Sequence, residues 1–353
     1  MTMNAAQALV EPRFGSVTGR PIAVLGAGSW GTAIAQLIAR SGHEVTLWGR
    51  DEEVVRGINK DHQNHRYLDG FTLDPVIRAT TQLDVAARDA EYLVMVVPSH
   101  AFREVCRQLA PLLHPSQAVF HATKGVERES YARMSEIIMQ ETCIRQVGVI
   151  SGPNIAREIM EGKPAGTVVA TPFPRLVRAA AQLLTTPNFR VYQNKDVVGV
   201  ELGGTLKNII AIAAGIAREM ELGENAKAML LTRGTQEMIR VGRSFGAQSA
   251  TFSGMAGIGD LIVTCGSEHS RNFRFGRGLA QGATVEEIRA SLGMVAEGVF
   301  AAKVAMDIAT ARGIDIPVMR AVYEVIHEGR PVQGALASLM EGQAQSDVDF
   351  GGA

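Results

Sequence analysis

The stretch Pro21-Ile22-Ala23-Val24-Leu25-Gly26-Ala27-Gly28-Ser29-Trp30-Gly31 decides the fold. Its first five residues read as a short buried strand. Residues 30–40 read as a helix with apolar side chains along one face. Between them Gly26, Gly28 and Gly31 form G-x-G-x-x-G, the spacing of a dinucleotide-binding turn. The first glycine makes the tight turn, the second lets a pyrophosphate approach the backbone, and the third lets helix and strand pack closely. The helix start then offers N–H groups and a positive dipole end to phosphate. A tight strand-to-helix turn that binds nothing uses the same glycines, so the rest of the chain must carry the functional reading.

Working outward, apolar runs at 22–25, 44–48, 92–97, 118–122, 147–150 and 166–170 read as strands separated by helical patterns, as in a parallel sheet. Beyond residue 197 the strand signal nearly vanishes. Helical patterns cover 198–219, 224–245, 271–281, 284–292, 297–311 and 317–327, and Gly246, Gly282, Gly293 and Gly313 are placed as C-terminal caps. The expectation is an α/β protein: an N-terminal Rossmann-type doubly wound sheet over 21–197, followed by an all-α C-terminal domain over 198–342. Residues 1–20 read as an N-terminal extension and 343–353 as a polar tail.

Composition narrows the function. With 353 residues, 46% hydrophobic and 20% charged, the chain suits a soluble globular protein of about two domains. A net charge of −1 gives no general attraction to nucleic acid or anionic membrane, so any phosphate site must be a local cluster. The most apolar stretch, 209–217, is about half a membrane span, and the N-terminal residues lack the pattern of a signal peptide. The three cysteines, Cys106, Cys143 and Cys265, show neither disulfide nor metal spacing, which favours a reducing cytoplasm and no metal site.

In an open parallel sheet, ligands lie outside the carboxyl ends of the strands. The second strand ends in Trp48-Gly49-Arg50-Asp51. Arg50 stands where NAD-specific folds commonly place an acid, and a guanidinium suits a 2′-phosphate, so NADP(H) is favoured with NAD(H) as the alternative. Asp51 next to it blurs that preference. Other strand ends carry Pro98-Ser99-His100, Thr123-Lys124-Gly125 and Gly152-Pro153-Asn154. His100 reads as a cofactor contact or a helix cap. Lys124 reads as a cation aimed at a bound anion or as a surface lysine.

In the helical half, Gly203 and Gly204 lie inside a helix, where each costs about 1 kcal/mol against alanine, so they mark a close approach by backbone or ligand. Lys207 follows one turn later on the same face. Desolvation there would lower its pKa and let it exchange a proton with a developing alkoxide. The alternative is a lysine reaching out to solvent. Gly257-Ile258-Gly259-Asp260 reads as a flexible turn presenting a carboxylate near Lys207, or as an N-cap. Ser270-Arg271-Asn272 opens a helix whose Arg271 suits a phosphate better than Arg274 or Arg277.

These motifs, together with Gly26–Ala33, Ala122–Gly125, Ser151–Pro153, Glu201–Asn208 and Gly257–Leu261, resemble bacterial glycerol-3-phosphate dehydrogenase, in that family's order over residues 21–330. The resemblance implies NAD(P)-dependent reduction of dihydroxyacetone phosphate to sn-glycerol 3-phosphate, supplying glycerophospholipid synthesis, in a cytoplasmic homodimer. It implies Lys207 as proton donor and acceptor, with Asp260 positioning it directly or through Asn208 or water. Lys124, Gly152, Asn154, Lys207, Asp260, Ser270, Arg271 and Asn272 would meet the substrate. Gly26, Gly28, Ser29, Trp30, Gly31, Arg50, Lys124, Ala156, Arg271, Val295 and Glu297 would meet the cofactor. Asn154 departs from the family's Ser or Thr, as does the N-terminal extension. Two other readings stay open at this level: a β-hydroxyacid dehydrogenase, disfavoured by the phosphate-suited trio Lys124, Arg271 and Asn272, and a nucleotide-sensing protein without catalysis, disfavoured by Lys207 and Asp260.

Overall fold

The computed structural model describes residues 17, 19–293 and 296–340. Val295, the tail and nearly all of the N-terminal extension lie outside the described residues. Eight strands form one sheet: β1 (Ile22–Leu25), β2 (Val45–Trp48), β3 (Ile77–Thr80), β4 (Tyr92–Met95), β5 (Ala118–His121), β6 (Gln146–Ser151), β7 (Ala165–Ala170) and β8 (Phe189–Asn194). Their order is β3-β2-β1-β4-β5-β6-β7-β8. Every pair is parallel except β6 with β7. The order reverses between β1 and β4, which puts the binding crevice at the carboxyl ends of those strands.

The central strands are legible because both faces are covered. β1, β4 and β5 are buried at every residue, so they read as unbroken apolar runs. Two strands escape the sequence reading. β3, Ile-Arg-Ala-Thr, alternates buried and solvent-facing residues at one sheet edge, and β8 at the other edge buries only Phe189 fully. Half-solvated edge strands carry polar residues that look like loop.

Helices cover both faces of the sheet, beginning with α1 (Ser29–Arg40) and α2 (Glu52–Asp61). After β8 the chain is helical. The centre of this half is the 23-residue helix Val197–Glu219, which buries a continuous run from Gly199 to Ile212. It is long and apolar enough to cross a membrane, yet most of it is enclosed by protein. Helix Arg271–Ala280 crosses it closely: a Cβ on Gly215 would lie 2.0 Å from Phe273 O, and one on Gly276 would lie 1.9 Å from Ile212 O. That contact fixes where Arg271 and Asn272 stand relative to Lys207. Two features differ from the sequence reading. Residues 255–259 form a π-helical turn running straight into helix Asp260–Gly266, and a further helix, Val332–Met340, follows Pro317–His327.

Candidate active site

The glycine turn has the shape a dinucleotide requires. A Cβ on Gly31 would lie 1.8 Å from Gly26 O, and Gly26 itself sits at φ +126° with Val96 O 2.7 Å from its own would-be Cβ. Both positions admit only hydrogen as a side chain. A Cβ on Gly28 would meet nothing within 4 Å, so this side of the turn is open for phosphate to approach. No side chain caps α1 and no acidic residue lies in its first turn, which leaves its dipole end to attract an anion. The residues present therefore fit the cofactor. Ser29 and Trp30 build the turn: Ser29 Oγ donates to Tyr67 O at 2.8 Å, and Trp30 packs partly buried against the sheet core.

At the end of β2, Arg50 is exposed. Asp51 turns its carboxylate onto its own helix, accepting from Glu53 N at 2.9 Å and Val54 N at 3.3 Å and pairing with Arg66. The Val54 hydrogen bond, with Arg66 and Glu53 assisting, holds its pKa below the usual range. The acid beside Arg50 is thus engaged as a helix cap. His100 is exposed in the first turn of helix Ser99–Leu109, whose N-cap is Pro98, so it does not cap that helix. The neighbouring Ser99 hydroxyl instead donates to Glu297 Oε2 at 2.8 Å, joining the sheet half to the helical half.

Four residues from three chain segments meet at the centre. Lys207 Nζ donates to Asp260 Oδ1 at 2.5 Å and to Thr264 Oγ1 at 2.5 Å. Lys124 Nζ, from the loop after β5, donates to Asp260 Oδ2 at 2.6 Å and to Gly152 O at 3.2 Å. Asp260 and Lys207 are buried, while the Lys124 side chain is 24% exposed. Burial pushes the Lys207 ammonium down to about 7, the nearby Lys124 charge pushes the same way, and the Asp260 carboxylate opposes both. An amine poised near neutrality, wired to a carboxylate, can give or take a proton at physiological pH.

The glycines around this cluster serve packing. A Cβ on Gly203 would lie 2.7 Å from Ala256 O in the π-helical turn, and one on Gly204 would lie 2.9 Å from Ser151 Oγ and 3.4 Å from Lys124 Cγ. A Cβ on Gly257 would lie 2.1 Å from Phe252 O. The segment expected to be a flexible turn is therefore a packed π-helical turn, a device found often at functional sites. It aims Asp260 at Lys207 directly, with Asn208 turned elsewhere.

The remaining candidates divide. Gly152 holds φ +151° at the end of β6. Ser270 Oγ caps helix Arg271–Ala280 by accepting from Phe273 N at 3.3 Å, and Arg271 stands in its first turn, half-buried. Arg277 is occupied by Glu219 and Glu268, and Arg274 is exposed. Asn272 spends its carboxamide on structure: Nδ2 donates to Asn208 Oδ1 at 2.9 Å, and Oδ1 accepts from Gly298 N at 2.9 Å. Asn154 does likewise, donating to Gly166 O at 3.0 Å and accepting from Thr167 Oγ1 at 2.9 Å. Ala156 opens the short helix Ala156–Met160. Sequence reasoning missed Thr264, which also donates to Asp260 O at 2.6 Å and so is held one turn after Asp260. Its signal was there in the Asp260/Thr264 spacing, but an apolar run masks it.

Known proteins resemble this chain over most of its length. Residues 21–176 match the family described as NAD-dependent glycerol-3-phosphate dehydrogenase N-terminus, and residues 196–337 match its C-terminus. A relative from Acinetobacter baumannii, named glycerol-3-phosphate dehydrogenase [NAD(P)+], is 45% identical over 344 residues, covering 97% of this chain and 96% of its own. One of the same name from Teredinibacter turnerae is 42% identical over 331 residues, covering 94% and 97%. The crystal structure of glycerol-3-phosphate dehydrogenase from Coxiella burnetii superimposes with a TM-score of 0.87 at 36% identity, covering 92% of this chain and 99% of that one.

Proposed function

The chain belongs to the NAD-dependent glycerol-3-phosphate dehydrogenase family, and from that premise we propose that it interconverts dihydroxyacetone phosphate and sn-glycerol 3-phosphate with Lys207 as the group that exchanges the proton. It is an NAD(P)-dependent oxidoreductase. When bound, the dinucleotide supplies or accepts the hydride.

The observation that carries the assignment is the Lys207–Asp260–Lys124 cluster, in which Lys207 and Asp260 are buried and Lys124 is partly exposed beyond the end of β5. In the reducing direction Lys207, protonated, donates to the C2 oxygen as negative charge develops there. In the oxidising direction Lys207, neutral, takes the hydroxyl proton. Asp260 and Thr264 hold the Lys207 nitrogen in one place, and Lys124 adds positive charge beside the reacting oxygen. Arg271, at a helix N-terminus capped by Ser270, binds the substrate phosphate. Asn272 serves this role by holding Asn208 and the start of helix Glu297–Arg312, and Gly152 and Asn154 shape the opposite wall. Closure of the two halves excludes water and strengthens each of these interactions.

Gly26, Gly28, Gly31, Ser29 and Trp30 form the pyrophosphate turn. Arg50 favours NADP(H), because its acidic neighbour Asp51 is committed to α2 and Arg66. Ala156 and Glu297 complete the cofactor contacts, with residues 21–197 as the dinucleotide domain and 198–342 as the catalytic one. The working enzyme is a cytoplasmic homodimer whose product supplies glycerophospholipid synthesis.

The test follows nicotinamide absorbance with dihydroxyacetone phosphate, comparing NADPH with NADH. Turnover with the phosphorylated ketone and none with dihydroxyacetone is expected. Equal rates with both ketones would remove the phosphate-binding role of Arg271, and a clear NADH preference would remove that of Arg50.

A further inference from the structure

A second buried ionic cluster lies on the same helix as Lys207, outside the site described. Glu201 is buried, and its carboxylate accepts from Ser135 N at 2.8 Å, Ser135 Oγ at 2.8 Å and Arg133 Nη1 at 2.5 Å. It also lies 3.0 Å from His121 Nε2, on a histidine with no solvent exposure. All these partners belong to the sheet half. His121 ends β5, just before the loop bearing Lys124, and Arg133 and Ser135 open helix Met134–Glu141. Glu201 itself belongs to helix Val197–Glu219, six residues before Lys207 and roughly 9 Å along the axis.

Between Glu201 and Lys207, Leu202 and Leu206 pack into the core of the helical half, and two close contacts are made through glycine. Gly203 lies against Ala256 O, and Gly204 against Ser151 and Lys124. The glycine contacts allow close approach and, like the non-directional apolar packing of Leu202 and Leu206, resist small rotations only weakly. A carboxylate held by several donors of fixed direction does resist. A buried ion cluster of this kind adds little net stability, since well-packed apolar residues of similar volume do as well or better, and fixing register is its best attested use.

We propose that Glu201 is a positioning residue: through His121, Arg133 and Ser135 it sets the rotation of helix Val197–Glu219 on the sheet half, and so the placement of Lys207 against Asp260 and Lys124. This rests on the reading of Lys207 as the proton-exchanging group. The titratable groups around Lys207 are Asp260, Lys124 and Cys265, and their distances from it change if the helix turns.

The experiment replaces the pair together, Glu201→Leu with Arg133→Leu, and compares it with Glu201→Gln and Lys207→Ala in the full-length enzyme. For the double variant we expect a melting temperature near wild type, an unchanged KM for the dinucleotide, kcat lowered at least about tenfold, and a displaced midpoint in the pH profile of kcat. Wild-type kcat and pH profile in a stable double variant would overturn the proposal. If the double variant does not fold, Glu201→Gln decides. It keeps an acceptor for Ser135 but loses the charge, and an unmoved pH midpoint there would equally overturn it. Full turnover in Lys207→Ala would overturn the Lys207 reading instead, whatever the Glu201 variants do.

Discussion

Lys207 Nζ lies 2.5 Å from Asp260 Oδ1, and the other oxygen of that carboxylate is held by Lys124. One buried anion thus serves two cations, and the pKa of Lys207 reports the balance. Burial and Lys124 press it down to about 7, and Asp260 resists. Reduction requires the protonated amine, so kcat for dihydroxyacetone phosphate falls as pH rises through about 7. Oxidation of glycerol 3-phosphate rises over the same range. Asp260→Asn removes the resisting charge and moves both midpoints to lower pH. A profile measured in both directions checks this, and an upward shift would contradict it.

Lys207→Ala removes the proton carrier and leaves the glycine turn untouched. Loss of a positioned general acid commonly costs about 10²- to 10⁴-fold in rate. We expect kcat to fall by that order while dinucleotide affinity, measured by fluorescence titration, stays within about twofold. Near-wild-type turnover would rule out the role.

Gly203→Ala tests the packing of the catalytic helix. In an exposed helix the change gains about 1 kcal/mol. Here the new methyl would sit 2.7 Å from Ala256 O, which belongs to a packed backbone. Overpacking of this kind costs about 1–3 kcal/mol, so the sign reverses. Urea denaturation should show a destabilised protein, with kcat reduced because the turn carrying Asp260 is pushed away. A more stable and fully active variant would show that the turn yields freely.

Glu237 provides a stability test away from the site. It is fully buried and accepts from Val318 N at 2.7 Å and Met319 N at 2.9 Å, capping helix Pro317–His327. Burial raises its pKa from 4.5 to about 7, with the two backbone hydrogen bonds opposing. The folded state therefore binds more protons than the unfolded one between those values. Its contribution is full below the unfolded pKa and lost as pH rises through the folded one, on the order of 3 kcal/mol in all. Glu237→Gln should remove that component. Melting temperatures from pH 4.5 to 8 should fall more steeply with pH in wild type than in the variant, and parallel curves would refute it.

The fold was largely legible in the chain because its deciding signals are local. The Gly26-Ala27-Gly28-Ser29-Trp30-Gly31 turn, the apolar runs of β1, β4 and β5, and helix Pro317–His327 each state their own structure. β3 and β8 were hidden because an edge strand meets solvent and takes polar residues. The site was legible as a set of residue types: Lys124, Lys207, Asp260 and Arg271 stand out one by one. A carboxylate from Asp260 beside Lys207 was expected, but that Lys124 shares the same carboxylate was not. Lys124 and Asp260 are 136 residues apart, and only the docking of helix Val197–Glu219 on β6 and the π-helical turn brings them onto one carboxylate. The same docking commits the carboxamides of Asn272 and Asn154 to backbone and side-chain partners, draws in Thr264, and sets Lys207 in a dry place that lowers its pKa. Motif and periodicity depend on neighbours in sequence, whereas desolvation and charge balance depend on neighbours in space. The chain by itself therefore determined which groups are available, and the tertiary structure decided which of them act together.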